Sequence, residues 1–419
     1  MGIEDQQEVI KPGALGMKKY YVNLLTLISV FAIILFSCKK DNTQPEIIEK
    51  DPPVQDVYTN GSVIKYIDNG DPDKRINMVF IGDGFALSDQ PKWRDHVDEM
   101  LENLFSSELG QPFGRYQKFF NVYRIDMISE HSGLDLLNRY TPLRGMTSCR
   151  DWPAGDCFTD WSRTHDAIDY YMADFGNPDI TFREVALNSI EHFGSVHYPA
   201  RGLLNTYSAG HGNTVNIFIH ENGHIAGKLA DEYVNDAEAT YSGSEPAAVN
   251  VTTVLNPLKW ECWVGYDMPY TINGSPTIGA YEGAKYVGKG IYRPAEQCMM
   301  NRYTNPFCAV CREKIILDFY RKARPVDTVL VSLPEISVEL VDPDLFNVRW
   351  FVDGDEVASS GLFIDLSTLG LSNGEHTVRI LVSDKILEFS YTGAYFDWVR
   401  RDTNLLKQEI VKVLELQSN

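Results

Sequence analysis

Residues 213–233, which read NTVNIFIHENGHIAGKLADEY, contain two histidines four positions apart inside an apolar segment. The apolar residues recur at helical spacing, which predicts a helix with one buried face. Positions four apart share a helix face, so His220 and His224 would project together into a cleft. With Glu221 beside the first histidine, this is the pattern of a zinc site. Gly223 costs such a helix about 1 kcal/mol relative to alanine, which close packing against a neighbour would justify.

A zinc site of this kind needs a third protein ligand. Gly227 stands where the extended motif H-E-x-x-H-x-x-G-x-x-H has the glycine at which the chain leaves the helix. The position of that motif's third histidine is Ala230, which cannot bind a metal. Asp231 and Glu232 follow directly, and a carboxylate binds zinc at about 2.0–2.2 Å. Spacing alone does not separate these two candidates.

The same residues resemble the bacterial IgA-peptidase family of zinc metallopeptidases, whose signature is H-E-x-G-H-x-x-x-x-L-x-D-E-Y. The matching residues here are His220, Glu221, Gly223, His224, Leu229, Asp231, Glu232 and Tyr233. The segments VFIGDGF, PFGRYQKFFNVYRIDMISEHSGLD and CMMNRYTNPFCAVCREKI extend the resemblance over roughly residues 60–320.

The resemblance implies a metzincin-like endopeptidase with one catalytic Zn²⁺ ion and a protein or peptide substrate. It implies His220, His224 and Asp231 as ligands, with Asp231 preferred to Glu232. Glu221 would act as general base, taking a proton from the zinc-activated water and passing it to the leaving amine.

Further assignments follow from the same resemblance. Cys298-Met299-Met300 would form the Met-turn beneath the metal, with Met299 and Met300 as its methionines. Tyr303, shortly afterwards, is a candidate for oxyanion stabilisation by position only, and a core or rim tyrosine is the simpler interpretation. Residues 192–202 look like an edge strand along which an extended peptide could add.

Hydrophobic patterning changes near Pro325. Before it, the chain alternates between strand-like and helix-like segments, which predicts a mixed α/β (α+β) catalytic domain over residues 56–325. The strands are expected at 76–85, 119–129 and 180–189, and the helices at 89–107 and 165–176. After it, short alternating segments split by turns predict an all-β, immunoglobulin-like sandwich over residues 326–419. The segment 398–416 is compatible with either a helix or a last strand.

The N-terminal segment predicts an exported lipoprotein. Two lysines after Met17 precede an apolar run of about 14 residues, broadly the length of a secretory signal. Leu35-Phe36-Ser37-Cys38 resembles a lipobox, so residues 1–37 would contain the signal peptide, with Met17 as the expected start, and Cys38 would be the lipidated residue. A transmembrane anchor is the alternative, but the run is short for a span of ~20 residues. The polar residues 38–55 would be a tether, and the protein would lie in the bacterial cell envelope, periplasmic or surface-exposed.

The other six cysteines form an even set, which in an exported chain favours disulfides. Proximity suggests Cys149 with Cys157. Cys308 and Cys311 have the C-x-x-C spacing of redox or zinc motifs, but a structural disulfide is the preferred interpretation.

A net charge of −20 with no basic run argues against nucleic-acid binding. Three functions stay open. The preferred one is an envelope-anchored zinc endopeptidase with an accessory C-terminal domain. The second is a non-catalytic lipoprotein that binds a glycan or protein. The third is a zinc hydrolase acting on a non-peptide amide.

Overall fold

A computed structural model of the protein describes residues 58–134, 141–146, 159–269, 274–358, 361–387 and 398–417. These residues belong to one compact unit, Val57–Asn419. The expected signal peptide, the tether and Cys38 lie outside the described residues, as do Cys149 and Cys157. The domain boundary near residue 325 stays a prediction.

A six-stranded mixed sheet forms the centre of the fold. Its strands are β1 (Ser62–Ile67), β2 (Ile76–Asp83), β3 (Phe120–Asp126), β4 (Ile180–Leu187), β5 (Gly194–His197) and β6 (Leu204–Ser208), in the order β1-β3-β2-β4-β6-β5. β2 runs parallel to β3 and β4, and β4 runs parallel to β6. The two edge strands, β1 and β5, are antiparallel to their neighbours. The strands predicted at 76–85, 119–129 and 180–189 are confirmed as β2, β3 and β4.

The part of the chain that the structure describes places four helices around this sheet: α1 (Gln90–Ser106), α2 (Trp161–Met172), α3 (Thr214–Gly227) and α4 (Ala309–Lys322). Parallel strands covered on both faces are apolar throughout, and every residue of β2 is buried. Because side chains alternate along a strand, Met78 and Phe80 enter the core cluster that includes α1, α3 and α4. Val79 and Ile81 enter the second cluster, which includes α2.

Helix α3 is buried on nearly all sides. Twelve of its 14 residues are buried, and it packs against α1, α4, β5 and β6. The sequence predicted one buried face, whereas the helix is enclosed. Its polar residues His220, Glu221 and His224 are buried together with its apolar ones.

A small three-stranded sheet follows α3, with β7 (Val234–Thr240), β8 (Tyr281–Ala284) and β9 (Tyr286–Arg293) in the order β7-β9-β8. β7 is largely exposed. This sheet was not predicted from the sequence.

After α4 the described chain forms only strands and short 3₁₀ turns, in two antiparallel sheets. One contains β10 (Val326–Ser332), β11 (Glu335–Leu340) and β14 (Phe363–Asp365). The other contains β12 (Phe346–Val352), β13 (Asp355–Val357), β15 (Gly374–Asp384) and β16 (Lys407–Leu416), in the order β13-β12-β15-β16. The predicted β content is confirmed, and the immunoglobulin-like arrangement stays a prediction.

The ambiguous segment 398–416 contains the strand β16. It pairs with β15 along its whole length, and its exposure alternates from residue to residue. Ile410 and Leu414 pack against the core, whereas Val411 and Val413 face outwards. Its helix-favouring residues are overridden because a long neighbouring strand satisfies its backbone groups.

Cys262, Cys298, Cys308 and Cys311 are free thiols. The Sγ atoms of Cys298 and Cys311 are 3.7 Å apart, well beyond the disulfide bond length of about 2.05 Å. The expectation of disulfides is therefore not met among the described cysteines. Within the described ranges, no helix has both the length and the apolar character needed to cross a membrane.

The C-terminal sheets are tied to the rest of the fold by Asp384 at the end of β15. Its fully buried carboxylate accepts hydrogen bonds from Arg115 at 2.7 Å, from the Tyr116 hydroxyl at 2.8 Å and from the Tyr320 hydroxyl at 2.5 Å. Tyr320 belongs to α4, so this carboxylate joins β15 to a helix of the main core.

We expect Asp384→Ala to lower the free energy of unfolding by about 3 kcal/mol, because it leaves a largely buried cation and two hydroxyls without their acceptor. Urea unfolding followed by tryptophan fluorescence measures this. Asp344→Ala is the matched control: its side chain is 92% exposed, 3.9 Å from Lys118, and we expect less than about 1 kcal/mol. Equal effects in the two variants would contradict the role of Asp384.

Candidate metal centre

Helix α3 brings three of the sequence-predicted residues to one place. His220, Glu221 and His224 are each less than 10% exposed. The two imidazole rings are 5.0 Å apart between centroids and nearly perpendicular, as their spacing on one helix face requires.

Both histidines are oriented by backbone carbonyl oxygens. His220 Nδ1 lies 2.9 Å from the oxygen of Met299, and His224 Nδ1 lies 2.7 Å from that of Leu229. A carbonyl oxygen only accepts, so each Nδ1 carries the proton and donates it. Each Nε2 is then the nitrogen available to a metal, which is how metal-binding histidines are usually held.

Asp231 completes this group. Its Oδ1 atom is 3.1 Å from His220 Nε2 and 3.4 Å from His224 Nε2, and one ligand atom from each residue lies within 4.8 Å of the others. Ligands bound to a tetrahedral zinc ion at about 2.0–2.2 Å are themselves about 3.3–3.5 Å apart. Two imidazoles and a carboxylate at these separations fit zinc.

The chain reaches Asp231 through a left-handed turn. α3 ends at Gly227, but the residue with positive φ is Lys228, at 50°. The glycine of the motif therefore does not make the turn by its own positive φ, as the motif suggested. Instead, a Cβ on Gly227 would lie 2.9 Å from Leu229 Cγ, so the glycine is required by close packing.

Glu232, the alternative candidate, lies elsewhere. Its side chain is completely buried, and its Oε1 accepts a hydrogen bond of 2.9 Å from Asn250 Nδ2. It is not part of the group formed by the two histidines. The structure thus brings Asp231 next to the histidines and directs Glu232 away from them.

The segment predicted as a Met-turn lies against α3. Met299 and Met300 are fully buried, and a Cβ on Gly223 would lie only 2.7 Å from Met300 Sδ and 2.7 Å from Phe307 Cε1. The helix can approach this segment because residue 223 has no side chain. The sequence analysis expected close packing at Gly223, and the structure confirms it.

A cleft of about 450 Å³ opens over these residues. Glu221, His224 and Asp231 line it, and the edge strand β5 contributes Gly194, Ser195 and Val196. β5 confirms the strand expected within 192–202. Among the described residues β5 pairs with β6 alone and forms an edge of the sheet, the kind of edge to which a further strand can add.

Three tyrosines form part of the cleft wall; Tyr233 belongs to the signature, whereas the sequence did not single out Tyr198 or Tyr286. Tyr198, Tyr233 and Tyr286 line it, and the Tyr286 hydroxyl donates a hydrogen bond to Asp231 Oδ2. Tyr286 follows Asp231 by 55 positions, and no local pattern connects them. Tyr303, the sequence candidate, packs against the core and does not line the cleft.

The local charges act strongly on two of these groups. Burial lowers the pKa of His224, but the hydrogen bond to Asp231 and the negative charges of Glu221 and Asp231 outweigh it and raise the pKa to about 9. Burial raises the pKa of Asp231, but hydrogen bonds from His220 and His224 outweigh it and hold the pKa well below its usual range. Without a metal, His224 and Asp231 therefore form an ion pair at neutral pH.

A family model described as IgA Peptidase M64 matches residues 64–274 and 271–319, more than half of the chain. The chain belongs to the IgA peptidase M64 family. The family expected from the sequence is confirmed, and membership in it indicates a metallopeptidase. The matched region contains α3, Asp231 and the segment around Met299.

Solved structures similar to this M64 peptidase include three of OgpA from Akkermansia muciniphila. One is a catalytically inactive form in complex with an O-glycopeptide (glycodrosocin) substrate, with 9% identity, a TM-score of 0.25 and coverage of 82% of this chain and 93% of that one. Two are of the wild type, each with 10% identity. One has a TM-score of 0.24 and covers 82% of this chain and 94% of that one. The other has a TM-score of 0.23 and covers 88% of this chain and 96% of that one. These scores are too low to carry an argument. No curated protein matches the sequence.

We expect zinc binding by this M64 peptidase to strengthen as pH rises from 7 to 8.5. Protonated imidazole cannot bind a metal, and His224 loses its proton only near pH 9, so binding at neutral pH must release that proton. Calorimetry in buffers of different ionisation enthalpy measures the number of protons released on zinc binding. An imidazole of ordinary pKa, about 6.5, would instead give a plateau above pH 7.5.

We expect Tyr286→Phe to weaken zinc binding about tenfold, because partners that orient a ligand typically contribute 10–100-fold. Competition with a chromogenic chelator measures the dissociation constant. Tyr281→Phe is the matched control in the same sheet, since its hydroxyl donates to the Thr277 oxygen and lies away from the cleft. Equal affinities for Tyr286→Phe and the wild type would remove Tyr286 from the site.

Proposed function

We propose that this chain is a zinc-dependent endopeptidase that hydrolyses peptide bonds with Glu221 as general base. The observation that carries the proposal is the convergence of His220 Nε2, His224 Nε2 and Asp231 Oδ1 in one group, of which His224 and Asp231 line the cleft. Family membership supports the reaction class.

His220, His224 and Asp231 would hold the metal. Zinc, when bound, polarises a carbonyl and lowers the pKa of water to about 7. Tyr286 would keep Asp231 oriented, and the carbonyl oxygens of Met299 and Leu229 would keep both imidazoles in the tautomer that leaves Nε2 free.

Glu221 is positioned to move a proton. Its Oε2 atom is 3.9 Å from His224 Nε2, and its side chain lines the cleft beside the ligand group. The carboxylate would accept a proton from water in the cleft and return it to the nitrogen of the leaving amine. Such transfer typically contributes 10²–10⁴-fold to the rate.

An extended peptide would bind along β5. Gly194, Ser195 and Val196 border the cleft, and a Cβ added to Gly194 would lie 3.4 Å from Glu221 Oε1. Main-chain pairing with this edge would place a peptide bond of the substrate next to Glu221. This placement would not depend on the side chains of the substrate. A protein or peptide substrate therefore fits the cleft.

Three finer parts of the proposal rest on the sequence. The catalytic unit would be metzincin-like, with Met299 and Met300 in its Met-turn. The C-terminal strands would form an immunoglobulin-like accessory sandwich. The protein would be anchored to the bacterial envelope by lipid at Cys38.

The decisive experiment compares Glu221→Gln with the wild type on a peptide library, with cleavage followed by mass spectrometry. We expect cleavage to fall by 10²–10⁴-fold while zinc content stays unchanged, because the change removes the base and keeps the ligands. Glu191→Gln, an exposed residue just before β5, is the matched control and should cleave like the wild type. Full activity in Glu221→Gln would disprove the mechanism, and no cleavage by zinc-loaded wild type would favour a binding protein.

A further inference from the structure

A second cluster of metal-binding side chains lies outside the cleft. Glu232, Cys298, Cys308 and Cys311 offer ligand atoms within 4.8 Å of one another. All four residues are completely buried, and none lines the cleft. The proposed peptidase reaction uses none of these side chains.

The separations within the cluster suit a metal better than a disulfide. Cys298 Sγ is 3.7 Å from Cys311 Sγ, and Cys311 Sγ is 3.3 Å from Glu232 Oε1. Around a tetrahedral zinc ion, with sulfur at about 2.3 Å and oxygen at about 2.0–2.2 Å, two sulfurs lie about 3.8 Å apart and a sulfur and an oxygen about 3.5 Å. Both observed distances are close to these ligand–ligand separations.

One oxygen of the Glu232 carboxylate lacks a partner. Glu232 Oε1 accepts from Asn250, but Glu232 Oε2 is buried without a hydrogen bond. A buried polar atom without a partner is costly, and a cation among the three sulfurs would satisfy it.

The local backbone favours thiolates. Cys308 is the N-cap residue of α4 and Cys311 lies in its first turn, where the helix dipole stabilises negative charge. The backbone N–H of Cys308 donates to Cys298 Sγ at 3.3 Å. Backbone donors of this kind are typical around metal-bound sulfur.

We propose that Cys298, Cys308, Cys311 and Glu232 bind a second, structural zinc ion. Four protein ligands leave no open position, as expected of a structural rather than a catalytic site. The sequence pattern is C-x₉-C-x₂-C after an acidic residue that directly follows Asp231.

Such an ion would also hold the catalytic side in place. Glu232 follows Asp231, and Cys298 precedes Met299, whose carbonyl oxygen orients His220. The backbone N–H of Glu232 donates to the Met300 oxygen at 2.8 Å, which joins the two segments. One ion would fix the chain at both points.

The test uses the full chain, purified without chelator, and zinc-edge X-ray absorption together with elemental analysis. We expect about two zinc ions per chain in the wild type and one in His220→Ala. The ion that remains in His220→Ala should show zinc–sulfur distances of about 2.3 Å. This result would stand even if the peptidase proposal failed, because His220→Ala removes a ligand of the other site only.

Cys311→Ser should lose the sulfur-bound ion, whereas Cys262→Ser, at an exposed free cysteine, should keep both ions. Zinc without sulfur ligands in the wild type and in His220→Ala would overturn the proposal. The proposal would also be overturned if thiol titration of the wild type and of His220→Ala showed that Cys298, Cys308 and Cys311 contain a disulfide or are three metal-free thiols. Neither measurement requires that a cysteine variant folds.

Discussion

The contact between α3 and the segment Cys298–Met300 is the constraint on which the site depends. A helix buried on nearly all sides carries the two histidines, and Gly223 lets it approach Met300 closely. At that distance the Met299 carbonyl reaches His220 Nδ1, which fixes the tautomer and leaves Nε2 facing Asp231 Oδ1. The glycine weakens the helix locally, and the packing compensates for that cost.

The segment after α3 distributes its two carboxylates to opposite sides. Asp231 faces the histidines, while Glu232 faces the three buried cysteines. One short segment can therefore supply candidate ligands to two clusters. The two clusters are connected through backbone rather than through shared side chains.

The sequence predicted the helices and strands that follow from local hydrophobic periodicity. The strands β2, β3 and β4, the helices α1 and α2, and the helix with His220, Glu221 and His224 all followed from spacing. Contacts between distant positions were not predictable: Tyr286 is 55 positions from Asp231, and Glu232 is 79 positions from Cys311. The Lys228 turn was missed because a lysine seldom adopts positive φ, and β16 was ambiguous because composition and sheet position favoured different structures.

The residues at the tip between β8 and β9 have an unusual backbone. Lys285 and Tyr286 have φ values of 47° and 74°, and such conformations cost non-glycine residues about 1–3 kcal/mol each. Tyr286 nevertheless sits there and holds Asp231 through its hydroxyl. The hairpin therefore combines an unfavourable local backbone with a contact to a residue of the candidate metal centre. The left-handed φ of Tyr286 is thus the local cost of placing its hydroxyl against Asp231, and the orientation of this carboxylate is tied to the backbone of a hairpin 55 positions away in the sequence.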